Sequence, residues 1–157
     1  MNELERKKCL RMFSYGVYVL SSVNKGSYCA STVTWVSQAS FEPPLISVCI
    51  KRNSASYKVV RESKRFILHI LSKDQKDLAA SFFKSTLIDG SKINGHSFEI
   101  LNGMPLINGF PAYLVCDVVE ILDSGDHPLF MAEVKNAVVN NEQLPLELSK
   151  TGWSYGG

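Results

Sequence analysis

The run AYLVCDVVEIL, Ala112 to Leu122, limits the possible folds more than any other stretch. It is rich in β-branched residues and far too short to span a bilayer as a helix. The turn Asp123-Ser124-Gly125-Asp126 follows it, and Leu129–Val139 reads as the returning strand. Tyr113, Val115 and Val119 alternate onto one face, and Leu114, Cys116, Val118 and Leu122 onto the other. A strand apolar on both faces is buried on both, by a barrel interior and by a second surface. A small barrel covers only its inner face, so the outer face predicts an interface, most simply with a twofold copy in a homodimer.

The rest of the chain has the same grain. Gly16–Val23 and Ser27–Thr32 read as a hairpin about Asn24-Lys25-Gly26, and Leu45–Ile50 and Arg65–Ile70 as further strands. Three helices are predicted. One covers Glu3–Phe13, capped by Asn2, and one covers Ser56–Glu62, capped by Ser54. The third follows the capping box Ser72–Gln75 and runs to Phe83, with Leu78, Phe82 and Phe83 packing inward. Lys84–Gly109 reads as an irregular loop broken by glycines, long enough to be functional. Many short strands with interposed helices favour a mainly β, barrel-like fold over a parallel α/β sheet. At 157 residues one domain is expected over 1–157, with a tail from about 140 ending in TGWSYGG. Trp153 and Tyr155 of that tail are expected to dock on the body or on a partner chain.

Composition narrows the function classes. A net charge of +2 without a Lys/Arg block gives no footprint for nucleic acid. The apolar runs are too short for a membrane helix, and the charged MNELERKKCL start has no signal-peptide core, so a cytoplasmic protein is expected. Cys9, Cys29, Cys49 and Cys116 form no C-x-x-C pair and read as reduced, mostly buried thiols. His69, His96 and His127 lack metal-ligand spacing, so no metal is expected. His69, inside RFILHI, reads as a satisfied structural histidine and His96 as a solvent-exposed one. Asp123, Asp126 and Glu133 read as turn and strand-surface residues rather than paired catalytic carboxylates.

The stretch Ser31–Tyr57 carries the candidate site. Its strand ends at Ile50 in Lys51-Arg52, and Ser54 and Ser56 open the next helix. Cations and hydroxyls at a helix N-terminus make a seat for an anion such as a phosphate. Upstream, Thr32, Val33, Thr34, Trp35, Ser37, Gln38, Ala39 and Ser40 offer backbone donors and acceptors behind mostly small side chains, with one aromatic wall. A flat heteroaromatic ring with edge carbonyls calls for such contacts. The same residues also read as a Ser/Thr-rich edge strand, a loop and an ordinary capped helix.

These segments resemble the flavin reductase family. The matching pieces are Thr32–Ser40 with Glu42-Pro43-Pro44, then Ser54-x-Ser56, Asp89-Gly90-Ser91-Lys92, Gly103-Met104-Pro105-Leu106, and Gly125-Asp126-His127 followed by Phe130 and Glu133-Val134. The resemblance spans about Phe13 to Val139. It implies an FMN-binding split β-barrel, a six-stranded antiparallel Greek-key barrel, in a twofold dimer. It also implies FMN as cofactor, with FAD or riboflavin as variants, and NAD(P)H as hydride donor. The backbone of Thr32–Ala39 would hold the ring edge, and His127 would lie beside the flavin and nicotinamide as the catalytic position. Trp35 and Gln38 depart from the smaller residue and the serine that the family often carries there. The implied activity is NAD(P)H:flavin reduction, with hydride passing to flavin N5. Two alternatives remain: an FMN-loaded electron carrier of the flavoredoxin kind serving a redox partner, and a non-catalytic split-barrel binding module.

Overall fold

A computed structural model describes residues 1–157. The chain forms α1 (Glu3–Leu10), the hairpin β1 (Tyr18–Asn24) and β2 (Ser27–Val33), then β3 (Val36–Ser40) and β4 (Leu45–Cys49). Next come α2 (Ala55–Ser63), β5 (Arg65–Ile70) and the short α3 (Lys76–Ala80). Four small strands follow: β6 (Ile88–Asp89), β7 (Lys92–Ile93), β8 (His96–Leu101) and β9 (Met104–Ile107). The long pair β10 (Ala112–Leu122) and β11 (Leu129–Val139) and a 3₁₀ turn at Leu148–Lys150 complete it. No helix is long and apolar enough to cross a membrane.

All ladders are antiparallel. The main sheet has seven strands in the order β2-β1-β5-β10-β11-β4-β3, and β6–β9 form a second sheet in chain order. The mainly β, antiparallel expectation holds, but in place of a six-stranded barrel the strands form one open sheet of seven. Its two edges, β2 and β3, are consecutive in the chain and joined only by Thr34-Trp35. They do not pair because the free edge of β2 is already taken. Ala30 N donates to Thr86 Oγ1 at 3.0 Å, and Thr32 N donates to the Phe82 carbonyl at 3.3 Å. A seam is left between β2 and β3.

Alternation along the strands buries both faces of the sheet. Leu20, Cys29, Phe66, Leu68, Cys116 and Phe130 point into one core, over which α2 packs against β1 and β2. Val19, Ala30, Phe82, Ile93, Ile107 and Phe110 fill a second core beneath α3 and the small sheet. His69 is fully buried where the small sheet meets β1 and β5. Its Nδ1 faces the Val19 carbonyl at 3.0 Å, and its Nε2 accepts from Ile107 N at 3.0 Å. The structural reading of His69 therefore holds. His96, expected in solvent, is half-buried against Phe82.

Three local expectations change. Lys84–Gly109 is a meander of short strands, not a loop. Its Asn94-Gly95 and Asn102-Gly103 pairs both take positive φ, the backbone that closes a two-residue hairpin. The third helix stops at Ala80, and Phe83 is 58% exposed rather than inward. Gln75 does reach back to Ser72 N at 3.0 Å, but no side chain caps the helix start. In β10 an irregularity between Val118 and Glu120 shifts the alternation, so Ile121 joins Leu114, Cys116 and Val118 at the first core while Leu122 faces outward.

Candidate functional site

A cavity of about 560 Å³ opens at the seam, within the usual range for small-molecule sites. One wall is the end of β2 and the link, Ser31 to Trp35. The opposite wall is Cys49, Ile50, Lys51 and Ser54, with His127 beside them. Backbone bonds bring these distant segments together. Cys49 N donates to the Trp35 carbonyl at 2.9 Å, Ile50 N to Pro128 at 3.1 Å, and Arg52 N to Asp126 at 2.9 Å. The exit of β4 is thus held between the link and the β10–β11 turn.

The link carries unsatisfied polar groups. Thr34 Oγ1 and Trp35 Nε1 are buried without a hydrogen-bond partner, and the N–H groups of Thr34 and Trp35 take no part in the backbone ladder. A buried donor or acceptor left alone costs about 1–3 kcal/mol, and native proteins rarely tolerate one without a purpose. A planar ring with edge acceptors, such as a flavin, fits this donor set. At the other end Ser54 caps α2, its Oγ accepting from Tyr57 N at 3.1 Å, and no acidic residue occupies the first turn. With Lys51 at the rim, that end of the cavity carries positive potential suited to a phosphate.

His127 sits in the cavity wall with its side chain 14% exposed. Its ring lies 4.6 Å from Trp35, centre to centre, at a 46° tilt. Nδ1 is 2.8 Å from Asp126 Oδ1, and Nε2 is 2.6 Å from Tyr155 Oη. A carboxylate only accepts, so Nδ1 carries the proton and Nε2 accepts from the phenol in the neutral ring. That bond from His127 holds the Asp126 carboxyl below its ordinary range, while burial, reinforced by the Asp126 charge, raises the Tyr155 phenol. Burial also raises the Cys49 thiol in the same wall.

The sequence-derived site residues divide into two groups. Thr32, Val33, Thr34, Trp35, Ile50, Lys51, Ser54 and His127 line the cavity. Ser37, Gln38, Ala39 and Ser40 lie outside it along β3, where pairing with β4 leaves the first three exposed. Ser56 is buried against Ser31, Oγ to Oγ at 2.6 Å. Arg52 is committed to the β10–β11 turn: Nε and Nη2 donate to the Gly125 carbonyl at 3.1 and 2.9 Å, and Nη1 lies 2.7 Å from Asp123. It clamps the turn that presents His127. Val17, Phe82, Phe83, Leu148, Trp153 and Tyr155 line the cavity without having been assigned to it from sequence. The aromatic pair in the glycine-flanked TGWSYGG tail was their only local signal.

Known proteins share the sequence pattern and the fold. Residues 10–154 match the model of the flavin reductase like domain. The reductase component of a 4-nitrophenol 4-monooxygenase/4-nitrocatechol 2-monooxygenase from Rhodococcus opacus is 27% identical over 137 residues, 87% of this chain and 72% of that protein. The FMN reductase (NADH) SmoA of Agrobacterium fabrum is 28% identical over 142 residues, 87% of this chain and 76% of that one. Among solved structures, the flavin reductase PheA2 in its native state superimposes with a TM-score of 0.79 at 29% identity, covering 100% of this chain and 99% of that one. With the family model spanning nearly its whole length, the chain belongs to the flavin reductase-like family.

Proposed function

We propose that this protein is an NAD(P)H-dependent flavin oxidoreductase that binds FMN at the seam between β2 and β3. The observation that carries the reading is the cavity itself, with unpartnered Thr34 and Trp35 groups along one wall and the Lys51–Ser54 helix N-terminus at its end. A bound flavin supplies the redox chemistry, accepting a hydride from the reduced nicotinamide and passing electrons to an acceptor. The protein's part is to hold and orient. Thr34 and Trp35 donate to the ring edge, where fixed dipoles favour the charge of the reduced form. Lys51 and Ser54 receive the phosphate, and His127 orients the nicotinamide. Relatives named as reductase components of monooxygenases support an oxygenase partner as the consumer of the electrons.

The deciding experiment is anaerobic. Protein loaded with FMN is mixed with NADH or NADPH, and bleaching of the yellow colour supports the reductase. A yellow protein inert to both donors would make it an electron carrier, and failure to bind flavin would sink the reading. His127→Ala is expected to keep FMN but slow flavin reduction at least about tenfold, since misorientation of reacting groups alone costs up to roughly a hundredfold. Stopped-flow absorbance checks this, and an unaltered rate removes His127 from the site.

The reading includes a homodimer. Val119 and Leu122 of β10 are 55% and 59% exposed, and Val139 of β11 is 64% exposed. Neither chain end covers them, since α1 buries no residue and the C-terminal tail lies over the cavity. Apolar surface on two long strands calls for a partner, and a second copy is the simplest. Sedimentation is expected to give a dimer for the wild type and a monomer for Val119→Lys. A flavin-loaded wild type that is monomeric at micromolar concentration rules the dimer out.

A further inference from the structure

We propose that Gly152–Gly157 is a displaceable strap over the cavity, and that Tyr155 occupies the place the nicotinamide takes. The proposal rests on the flavin-reductase reading above. The folded body ends at Thr151, which is buried and whose Oγ1 donates to the Leu148 carbonyl at 2.7 Å. Beyond it no residue makes a backbone–backbone hydrogen bond. The segment is held by side chains: Trp153 edge-on to Phe83 at 4.7 Å, Lys76 Nζ 5.2 Å from the Trp153 ring, and Arg11 Nε donating to the Gly156 carbonyl at 3.1 Å. Tyr155 completes the hold, edge-on to Trp35 at 5.5 Å and to His127 at 5.8 Å, with its hydroxyl on Nε2.

Two features mark this contact as temporary. Both nitrogens of His127 are engaged while Tyr155 is in place, one by Asp126 and one by the phenol. A nicotinamide can reach His127 only when the phenol leaves, and the freed Nε2 then accepts from the N–H of the carboxamide. The resting strap also covers Trp35 without satisfying it. Nε1 is buried with no acceptor, and a Cβ on Gly156 would come within 3.8 Å of it. Lifting the strap therefore breaks no hydrogen bond to Trp35, and that donor stays free for the ring edge. An edge-on phenol and a ring stacked at reacting distance, about 3–3.5 Å, exclude one another.

The test uses flavin-loaded full-length protein, with Tyr155→Ala and a chain ending at Thr151 as variants. Both are expected to lower the KM for NADH about tenfold, the factor that loss of roughly 1.4 kcal/mol of competing contact gives. A second readout needs no turnover. In protein carrying fluorotyrosine, the Tyr155 fluorine signal is assigned by its loss in Tyr155→Phe, and oxidised NAD is expected to shift it to the position of a solvent-exposed tyrosine. A KM that rises or stays level, or a Tyr155 signal that ignores saturating NAD, overturns the strap. Flavin that neither NADH nor NADPH bleaches in the wild type overturns the reductase reading and the strap with it, whereas bleaching with an unaltered KM overturns the strap alone.

Discussion

Replacing Lys51 and Ser54 together with alanine is expected to weaken FMN binding about a hundredfold and to change riboflavin binding by less than about threefold. Hydrogen bonds to a charged group contribute about 1.5–3 kcal/mol each, so two at the low end give about 3 kcal/mol. Lys51 is exposed and its attraction is screened, so its share should shrink as salt is raised. Ser54 has a second duty as the cap of α2, and losing it costs about 1 kcal/mol of stability. That loss falls on both ligands alike, so the ratio of the two affinities isolates the phosphate. Fluorescence titration of both flavins decides it, and equal weakening would mean that the phosphate binds elsewhere. Ser56 is left out of the pair because its hydroxyl is already bonded to Ser31.

The second large effect is on stability and follows from His69. Burial lowers its pKa from 6.5 to about 4, against the opposing pull of the Val19 carbonyl. The unfolded chain takes up a proton near 6.5, whereas the folded protein resists until about 4. The stability this histidine contributes is therefore complete above pH 6.5 and is lost as the pH falls through the window down to about 4. At about 1.4 kcal/mol per pH unit the loss is on the order of 3 kcal/mol. His69→Leu leaves the Ile107 N–H unpaired and costs about 1–3 kcal/mol at neutral pH. The variant should, however, lose the slope over that window. Urea unfolding at a series of pH values gives both curves, and parallel curves would disprove the assignment.

The strands most legible in the sequence were those bounded by clear punctuation. Arg65–Ile70, Ala112–Leu122 and Leu129–Val139 have the bounds read from sequence, because each apolar run stops at a cap, a proline or a turn. The small sheet is hidden in the sequence because Gly95 and Gly103 read as breakers, although each follows an asparagine and closes a hairpin. The seam was not legible at all. It exists because residues 82–86 bond to the edge of β2, and nothing in either segment announces the other. The candidate site follows the same division. Thr32–Trp35 and Ser54, read from local chemistry, line the cavity, whereas Ser37–Ser40 lie outside it, the break at the link being invisible in the sequence. Tyr155 was missed as a neighbour of His127 because that contact joins two remote parts of the chain.

The seam also sets when, during folding, the protein can first hold its ligand. Its walls come from the β1–β2 hairpin, the end of β4, the β10–β11 turn and the last residues of the chain. Pairing of β4 with β11 joins opposite halves of the sequence, and long-range pairings of that kind form slowly. No hairpin or isolated half of the sheet contains the cavity. A ligand held there stabilises only the assembled sheet, so flavin supply should shift the balance between folded and partly folded protein without hastening the early steps.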